Sequence, residues 1–185
     1  MAVNLLPPPD HRLTTARLIL RAYQPADAAA LYATVEASRA HIARWLPWTP
    51  QHASVEDSRA VIQRLIAQWE QGVCTYGVFA RESGELLGGL GLQLREADVP
   101  SYEIGYWLAA PAEGHGYITE ATAAMVEYVF GKLDARRIEI RCNALNTRSA
   151  AVAQRLGFTQ EGLLRHHLRA HDGSLRDTLI FARVQ

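Results

Sequence analysis

The sequence predicts an α/β (α+β) fold in which helices flank a mixed sheet. Four strand-like runs precede a central helical pattern, and a strand–helix–strand unit follows it. Alternation of this kind is typical of α/β proteins with a mixed sheet. The 185 residues show no internal repeat and no interdomain linker, so the length fits one domain.

The strands are expected where aliphatic, β-branched and aromatic residues run between turn signals. Residues 1–13, with three consecutive prolines, are expected to form a flexible leader to a single domain over residues 14–185. The predicted strands are Thr15–Tyr23, Val73–Ala80, Leu86–Leu94, Ser101–Leu108, Arg136–Asn143, Phe158–Leu168 and Leu175–Val184. The second and third flank a short turn, which indicates a hairpin.

Helices are predicted where apolar residues lie three or four positions apart between start and stop signals. They are Ala28–Arg39, Asp57–Gln71, His115–Phe130 and Thr147–Leu156. Asp27 is expected to cap the first helix, and Gly72 and Gly157 to end the second and fourth. The stretch His41–Pro50, rich in aromatic residues and proline, gives no prediction.

Composition excludes several classes of function. Lys and Arg number 19, as do Asp and Glu, whereas nucleic-acid binders usually carry a basic excess. Residues 131–185 hold ten basic against five acidic residues, which suits either a polyanionic small molecule or a solvated surface. No apolar run approaches the roughly 20 residues that span a bilayer, and the N-terminus lacks signal-peptide features. With only Cys74 and Cys142 and no CxxC pair, we expect a cytoplasmic protein with no nucleic-acid or membrane partner.

The stretch Glu113–Thr119 (EGHGYIT) follows a predicted strand and opens a predicted helix. Gly114 and Gly116 would let a ligand approach the backbone, and the first helical turn offers unpaired N–H groups that suit a pyrophosphate. Two glycines alone are equally typical of an ordinary strand–helix loop.

Further stretches of the sequence favour a ligand-binding loop over an ordinary one. The chain resembles the GNAT superfamily, and most closely its RimJ/RimL type, whose cofactor motif is Gln/Arg-x-x-Gly-x-Gly/Ala. The matching stretches occur in order along nearly the whole chain: Ala40–Trp48, Glu103–Leu108, Trp107–Ala121, Arg137–Asn143, Asn146–Phe158 and Glu161–Leu164. Glu113 departs from the motif, and its carboxylate should weaken pyrophosphate binding unless it points away. Ile118 fills the final Gly/Ala position.

The resemblance implies a seven-stranded, mostly antiparallel sheet with a V-shaped splay at its centre, and acetyl-CoA as co-substrate without a metal. The pantetheine arm would lie in the splay, paired like an added strand with Leu108–Ala110, and an N–H near Leu108 would stabilise the oxyanion. The residues implied in cofactor binding are Leu108, Ala109, Ala110, Gly114, His115, Gly116, Tyr117, Ile118, Thr119, Asn146 and Ser149.

The resemblance also implies direct attack of an amine on the thioester. Glu103 is its first candidate base, the alternative being a strand residue paired with an arginine. The position of a second family Glu holds Leu168, just after His166 and His167, so His167 is a further candidate. Ser149 would bond to the departing thiolate, the alternative being an ordinary serine in a first helical turn.

Trp45 and Trp48, with Glu103, are implied to line the acceptor cleft, although core or dimer packing would explain the tryptophans equally well. The expected acceptor is a protein N-terminal α-amine. Alternatives are a small amine, such as a polyamine or aminoglycoside, or a non-catalytic acyl-CoA sensor, and a homodimer is possible. His167 and His171 have metal-like spacing, but the following turn signal indicates a hairpin, and no metal site is predicted.

Overall fold

The computed structural model describes residues 9–69, 71–170 and 173–185. Outside these residues lie most of the expected leader, one position near the end of the second predicted helix, and the start of the turn at His171. In the described chain, five helices flank one eight-stranded sheet. The strands are β1 (Arg12–Thr14), β2 (Leu18–Ala22), β3 (Val73–Ala80), β4 (Leu86–Glu96), β5 (Ser101–Leu108), β6 (Arg137–Asn143), β7 (Thr159–Arg169) and β8 (Leu175–Val184). The helices are α1 (Ala28–Ala37), α2 (Arg39–Ala43), α3 (Val55–Trp69), α4 (Tyr117–Lys132) and α5 (Thr147–Arg155).

The fold class predicted from the sequence is confirmed. The strand order is β1-β2-β3-β4-β5-β6-β8-β7, and β5 with β6 is the parallel pair, the other neighbours being antiparallel. The eighth strand is β1, which precedes the first predicted strand, Thr15–Tyr23, and overlaps the expected leader. The chain reverses at Thr15–Arg17, so that β1 pairs with β2. Thr15 Oγ1 donates to Glu120 of α4 at 2.6 Å, and the Arg17 N–H donates to the same carboxylate at 3.0 Å.

In the first third of the chain, one smaller prediction was wrong and one helix was not predicted. Asp27 does not cap α1 with its side chain, because its carboxylate accepts two hydrogen bonds from the Arg21 guanidinium at 2.7 and 2.8 Å. It also accepts the Gln24 N–H, closing a single turn ahead of the helix. The stretch without a prediction contains α2, a helix too short to show a repeating apolar pattern.

The sheet separates two buried clusters. Successive strand residues face opposite sides, so Leu18 and Leu20 lie in one cluster while Ile19 packs against the other. The larger cluster includes Met125 of α4 and Ile140 of β6. The smaller one holds side chains of α1 and α3: Leu31, Val35 and Ile62. No helix among the described residues has the length and apolarity needed to span a membrane.

Candidate active site

The parallel pair of strands diverges halfway along its length. Pairing of β5 with β6 runs from Ser101↔Arg137 to Ile104↔Ile140 and then stops. Beyond that point β5 stays bonded to β4 as far as Leu108, and β6 stays bonded to β8 as far as Asn143. The two strands therefore open a gap at the carboxyl end of β5, as the V-shaped splay requires.

The edge of β5 offers backbone groups to this gap. Ala109 donates its N–H to Leu87 O at 2.8 Å, so by the alternation of an antiparallel ladder the N–H of Leu108 faces away from β4. Ala110 donates its N–H to Ser38 Oγ at 3.0 Å, and Ala109 O accepts from Ala112. The expectation that Leu108–Ala110 all pair with a ligand is thus corrected to Leu108, because the N–H groups of the other two already have partners.

The glycine-rich loop leads directly into α4. Gly114 and Gly116 have φ angles of 80° and 77°, a left-handed conformation that strains any other residue. Gly116 precedes the first helical residue, Tyr117, and gives α4 no side-chain cap, so His115 lies outside the helix that was predicted to begin there. The first-turn N–H groups, which include those of Ile118 and Thr119, fit the phosphates of a nucleotide cofactor.

Arg17 is a cation beside this loop that the sequence did not indicate. Its Nη1 donates to His115 O at 3.0 Å, its Nε pairs with Glu120 at 2.6 Å, and its guanidinium lies 4.8 Å from the ring centre of Tyr117. Arg17 is about 100 positions before the loop along the chain, and only the β1–β2 hairpin brings it there.

Glu113 does not face the loop unpaired. Its carboxylate pairs with Arg148 in the first turn of α5 and lies 3.0 Å from His41 Nε2 of α2. The pairing supplies the positive charge that this position of the motif otherwise lacks. The penalty expected from a bare carboxylate next to a pyrophosphate is reduced accordingly.

Glu103 lies on β5 where the gap begins, but two arginines hold it. Arg95 Nη2 lies 2.7 Å from its carboxylate and Arg141 Nε 3.4 Å. This geometry matches the alternative of a strand residue paired with an arginine.

Ser149 and Asn146 lie at the start of α5, on the other side of the gap. Asn146 caps the helix, since its Oδ1 accepts the Ser149 N–H at 3.1 Å. Ser149 Oγ donates to the Tyr106 hydroxyl of β5 at 3.2 Å, a partner that sequence reasoning missed. Burial raises the pKa of Tyr106 to about 12, against the opposing effect of this hydrogen bond. Burial also raises the pKa of the Cys142 thiol, which therefore stays protonated near neutral pH.

The histidine candidates lie on β7 at a break in its pairing with β8. His166 has a φ of 52°, and its N–H donates to Asp177 at 2.8 Å. His167 Nδ1 lies 3.1 Å from Thr178 Oγ1, a hydroxyl only 5% exposed. His171 is outside the described residues. Among those that are described, no three His, Cys, Asp or Glu side chains form a metal-binding group.

The two tryptophans before α3 have different surroundings. Trp48 packs edge-on against Trp107 and His52, with ring centres 5.5 and 5.4 Å apart, so it takes part in core packing. The backbone O of Trp45 accepts from Arg176 of β8 at 3.0 Å. That bond joins the turn after α2 to β8, where Arg176 pairs with Leu168 of β7.

Comparison with known proteins agrees with this geometry. Residues 17–159 match the acetyltransferase (GNAT) domain family. The chain belongs to the GNAT acetyltransferase family. Two curated GNAT relatives, both from Escherichia coli (strain K12), act on ribosomal proteins. One is the ribosomal-protein-serine acetyltransferase, 29% identical over 83% of this chain and 85% of the relative. The other is the ribosomal protein uS5-alanine N-acetyltransferase, 28% identical over 94% and 91%.

A solved structure of RimL, the ribosomal L7/L12 α-N-protein acetyltransferase in complex with coenzyme A, has the same fold. Its TM-score is 0.85 at 28% identity, with 93% of this chain and 96% of that chain covered. This GNAT chain is an acetyl-CoA-dependent N-acetyltransferase. The uncapped N-terminus of α4 and the two left-handed glycines have the geometry that phosphates need, and the N–H of Leu108 faces the gap.

Proposed function

We propose that this enzyme transfers the acetyl group of acetyl-CoA to the N-terminal α-amine of a protein. The observation that carries the choice of acceptor is the pairing of Glu103 with Arg95 and Arg141. With its carboxylate held in these pairs, Glu103 is not a free base at the closed end of the gap, where β5 and β6 are still paired. An α-amine has an ordinary pKa near 8, whereas a lysine-type amine has one of about 10.4. A weak base therefore suffices to deprotonate an α-amine but not a lysine-type amine. The ribosomal-protein acceptors of the relatives support the same choice.

In the proposed reaction, the α-amine loses its proton to His167, directly or through a water, because an imidazole is a base at neutral pH. The amine nitrogen attacks the thioester carbonyl carbon, and the new C–N bond places negative charge on the carbonyl oxygen. The N–H of Leu108 donates to that oxygen. The C–S bond then breaks, its electron pair stays on sulfur, and Ser149 Oγ donates a hydrogen bond to the thiolate. The second proton of the attacking nitrogen passes through water to that thiolate, which leaves the neutral amide and the free thiol of coenzyme A.

Positioning supplies much of the rate in such a reaction. The loop from Gly114 to Thr119 and Asn146 would hold the phosphates and the pantetheine arm. Glu103 and Trp45 would shape the acceptor side, with the Glu103 carboxylate acting as half of an ion pair. Trp48 would support the cleft from the core. The buried, unpaired thiols of Cys74 and Cys142 suit the cytoplasm, which we propose as the location. The homodimer stays a prediction.

The test is a thiol-release assay on matched peptides, followed by mass spectrometry. One peptide has a free Ser or Ala N-terminus, a second is the same peptide with a blocked N-terminus and an internal Lys, and a third assay uses a polyamine. We expect acetylation of the free N-terminus alone. Turnover only with the polyamine would favour the small-amine alternative. Tight acetyl-CoA binding with no turnover, across roughly pH 6 to 9, would favour a sensor.

A further inference from the structure

We propose that Tyr106 is a positioning residue for the leaving group, holding and polarising the Ser149 hydroxyl that receives the thiolate of coenzyme A. This inference rests on the proposed transferase function and adds a residue that the family motif does not contain. Tyr106 is the second residue of β5 beyond the last pair with β6. Its side chain therefore lies at the point where the gap opens.

The contacts join the two sides of the gap. The Tyr106 hydroxyl donates to the Ser149 backbone O at 3.1 Å and accepts from Ser149 Oγ at 3.2 Å. The second contact fixes the Ser149 side chain, and the Ser149 backbone N–H is already bonded to Asn146. Tyr106 thus links β5 directly to the first turn of α5, and the Ser149 oxygen is fixed relative to the Leu108 N–H on the same strand.

The two hydroxyls can act in series. Hydroxyl hydrogens rotate to suit their partners, so the Ser149 hydrogen can turn toward sulfur while the Tyr106 hydrogen turns toward Ser149 Oγ. When the C–S bond breaks, the sulfur keeps the electron pair and accepts the Ser149 hydrogen bond. Tyr106 keeps its own proton throughout. Chains of hydrogen bonds in a partly dehydrated site strengthen one another, so the thiolate is stabilised more than by Ser149 alone.

The groups around Tyr106 keep this arrangement constant through neutral pH. Cys142 of β6 and Arg155 of α5 are the titratable side chains that act on Tyr106 besides its contact with Ser149. Burial raises the pKa values of both Tyr106 and Cys142, and a guanidinium stays charged at any neutral pH. A pH effect on thiol binding between about pH 7 and 9 would thus report the thiol of coenzyme A itself.

The first experiment is a double-mutant cycle of Tyr106→Phe and Ser149→Ala. Tyr102→Phe is the matched control, because Tyr102 is a buried tyrosine on the same face of β5. For the loss of the hydrogen bond between the two hydroxyls we expect kcat to fall about tenfold in Tyr106→Phe, with acetyl-CoA affinity within about twofold of the parent. The double variant should be no slower than Ser149→Ala, and Tyr102→Phe should match the parent.

The second experiment needs no acceptor, so it separates this inference from the proposed function. Calorimetry measures the affinities of coenzyme A and acetyl-CoA from about pH 7 to pH 9, where a free thiol ionises. If the site stabilises the thiolate, the affinity for coenzyme A should rise several-fold, relative to that for acetyl-CoA, as the pH increases over this range. That rise should shrink in Tyr106→Phe and in Ser149→Ala but persist in Tyr102→Phe.

Independent, multiplying effects of the two substitutions on kcat would overturn the inference. So would a Tyr106→Phe enzyme with parental kcat and a parental rise in coenzyme A affinity. If Tyr106→Phe proves too unstable to measure, Ser149→Ala is tested by itself. An unchanged rise of coenzyme A affinity with pH in Ser149→Ala would exclude a hydrogen bond from the hydroxyl to the thiolate. A parent enzyme that turns over no amine would refute the proposed function while leaving the binding test readable.

Discussion

Glu113 and Arg148 form an ion pair that joins the glycine-rich loop to the first turn of α5. The loop follows β5 and α5 follows β6, so the pair connects the two sides of the gap at its mouth. We expect a cofactor phosphate at the N-terminus of α4 to compete with Glu113 for this guanidinium. On this hypothesis the acidic residue in the motif lowers cofactor affinity without abolishing it.

Glu113→Gln should raise acetyl-CoA affinity, because it frees Arg148 for the phosphates. Arg148 is 78% exposed and exposed ion pairs are weak, so the expected gain is about two- to fivefold. The gain should shrink in high salt. Titration calorimetry at two salt concentrations measures it, with Glu161→Gln as control because Glu161 also pairs with an arginine, Arg137, outside the glycine-rich loop. Unchanged or weaker binding would show that Glu113 does not compete with the phosphates.

Gly116→Glu should abolish acetyl-CoA binding while the protein remains folded. The substitution places a carboxylate beside the first-turn N–H groups and strains a φ of 77°. Gly84→Glu is the control, since Gly84 has a φ of 73° in an exposed turn and thus carries equal backbone strain. Equilibrium binding together with thermal unfolding gives the result. Retained affinity in Gly116→Glu would move the phosphate site elsewhere.

His167→Gln should lower kcat/KM near neutral pH by about 10²-fold, because the proposed general base is then absent. Glu103→Gln should have a much smaller effect, since two arginines already hold the Glu103 carboxylate. His166→Gln is the matched control on the same strand. Steady-state kinetics on the three variants measures the losses, and a larger loss in Glu103→Gln than in His167→Gln would reverse the base assignment.

His52 should make the fold less stable in mild acid. Burial, together with Arg39 and Arg64, lowers its pKa below the usual value, so the unfolded chain takes up a proton first as pH falls. The free energy of unfolding therefore increases with pH below about 6.5 and levels off above it. Urea unfolding between about pH 5 and 7.5 should show this slope. His52→Asn, which can keep a bond to Ser58 Oγ, should flatten it, and an equal slope in the variant would assign the effect to other groups.

The sequence predicted the elements whose signals are local. The strands Val73–Ala80, Ser101–Leu108 and Leu175–Val184 have the bounds expected of them, because alternating apolar residues between turn signals depend on no distant contact. The reversal at Thr15–Arg17 escaped prediction since Glu120, about 100 residues away, stabilises it. A side chain supplied by a remote helix leaves no mark on the local pattern.

The sequence predicted the loop and the strands that carry the candidate site, but it did not predict which side chains contact one another there. The loop at Gly114 and Gly116 follows from its residues and its place between strand and helix. That Glu103 meets Arg141 depends on the parallel register of β5 and β6, and that Tyr106 meets Ser149 depends on how α5 packs over the gap. Neither register nor packing can be read from one sequence without knowing the fold.

The divergence of β5 from β6 has a consequence for the mechanics of the whole molecule. In the described chain, the backbone ladder between the five-stranded half of the sheet and the three-stranded half consists of four residue pairs. We expect a ligand along the open edges to take the place of the missing length of strand and to fasten the halves together. Its binding energy would then add to the cohesion of the sheet, and the enzyme should be most resistant to shearing apart when it is ready to react.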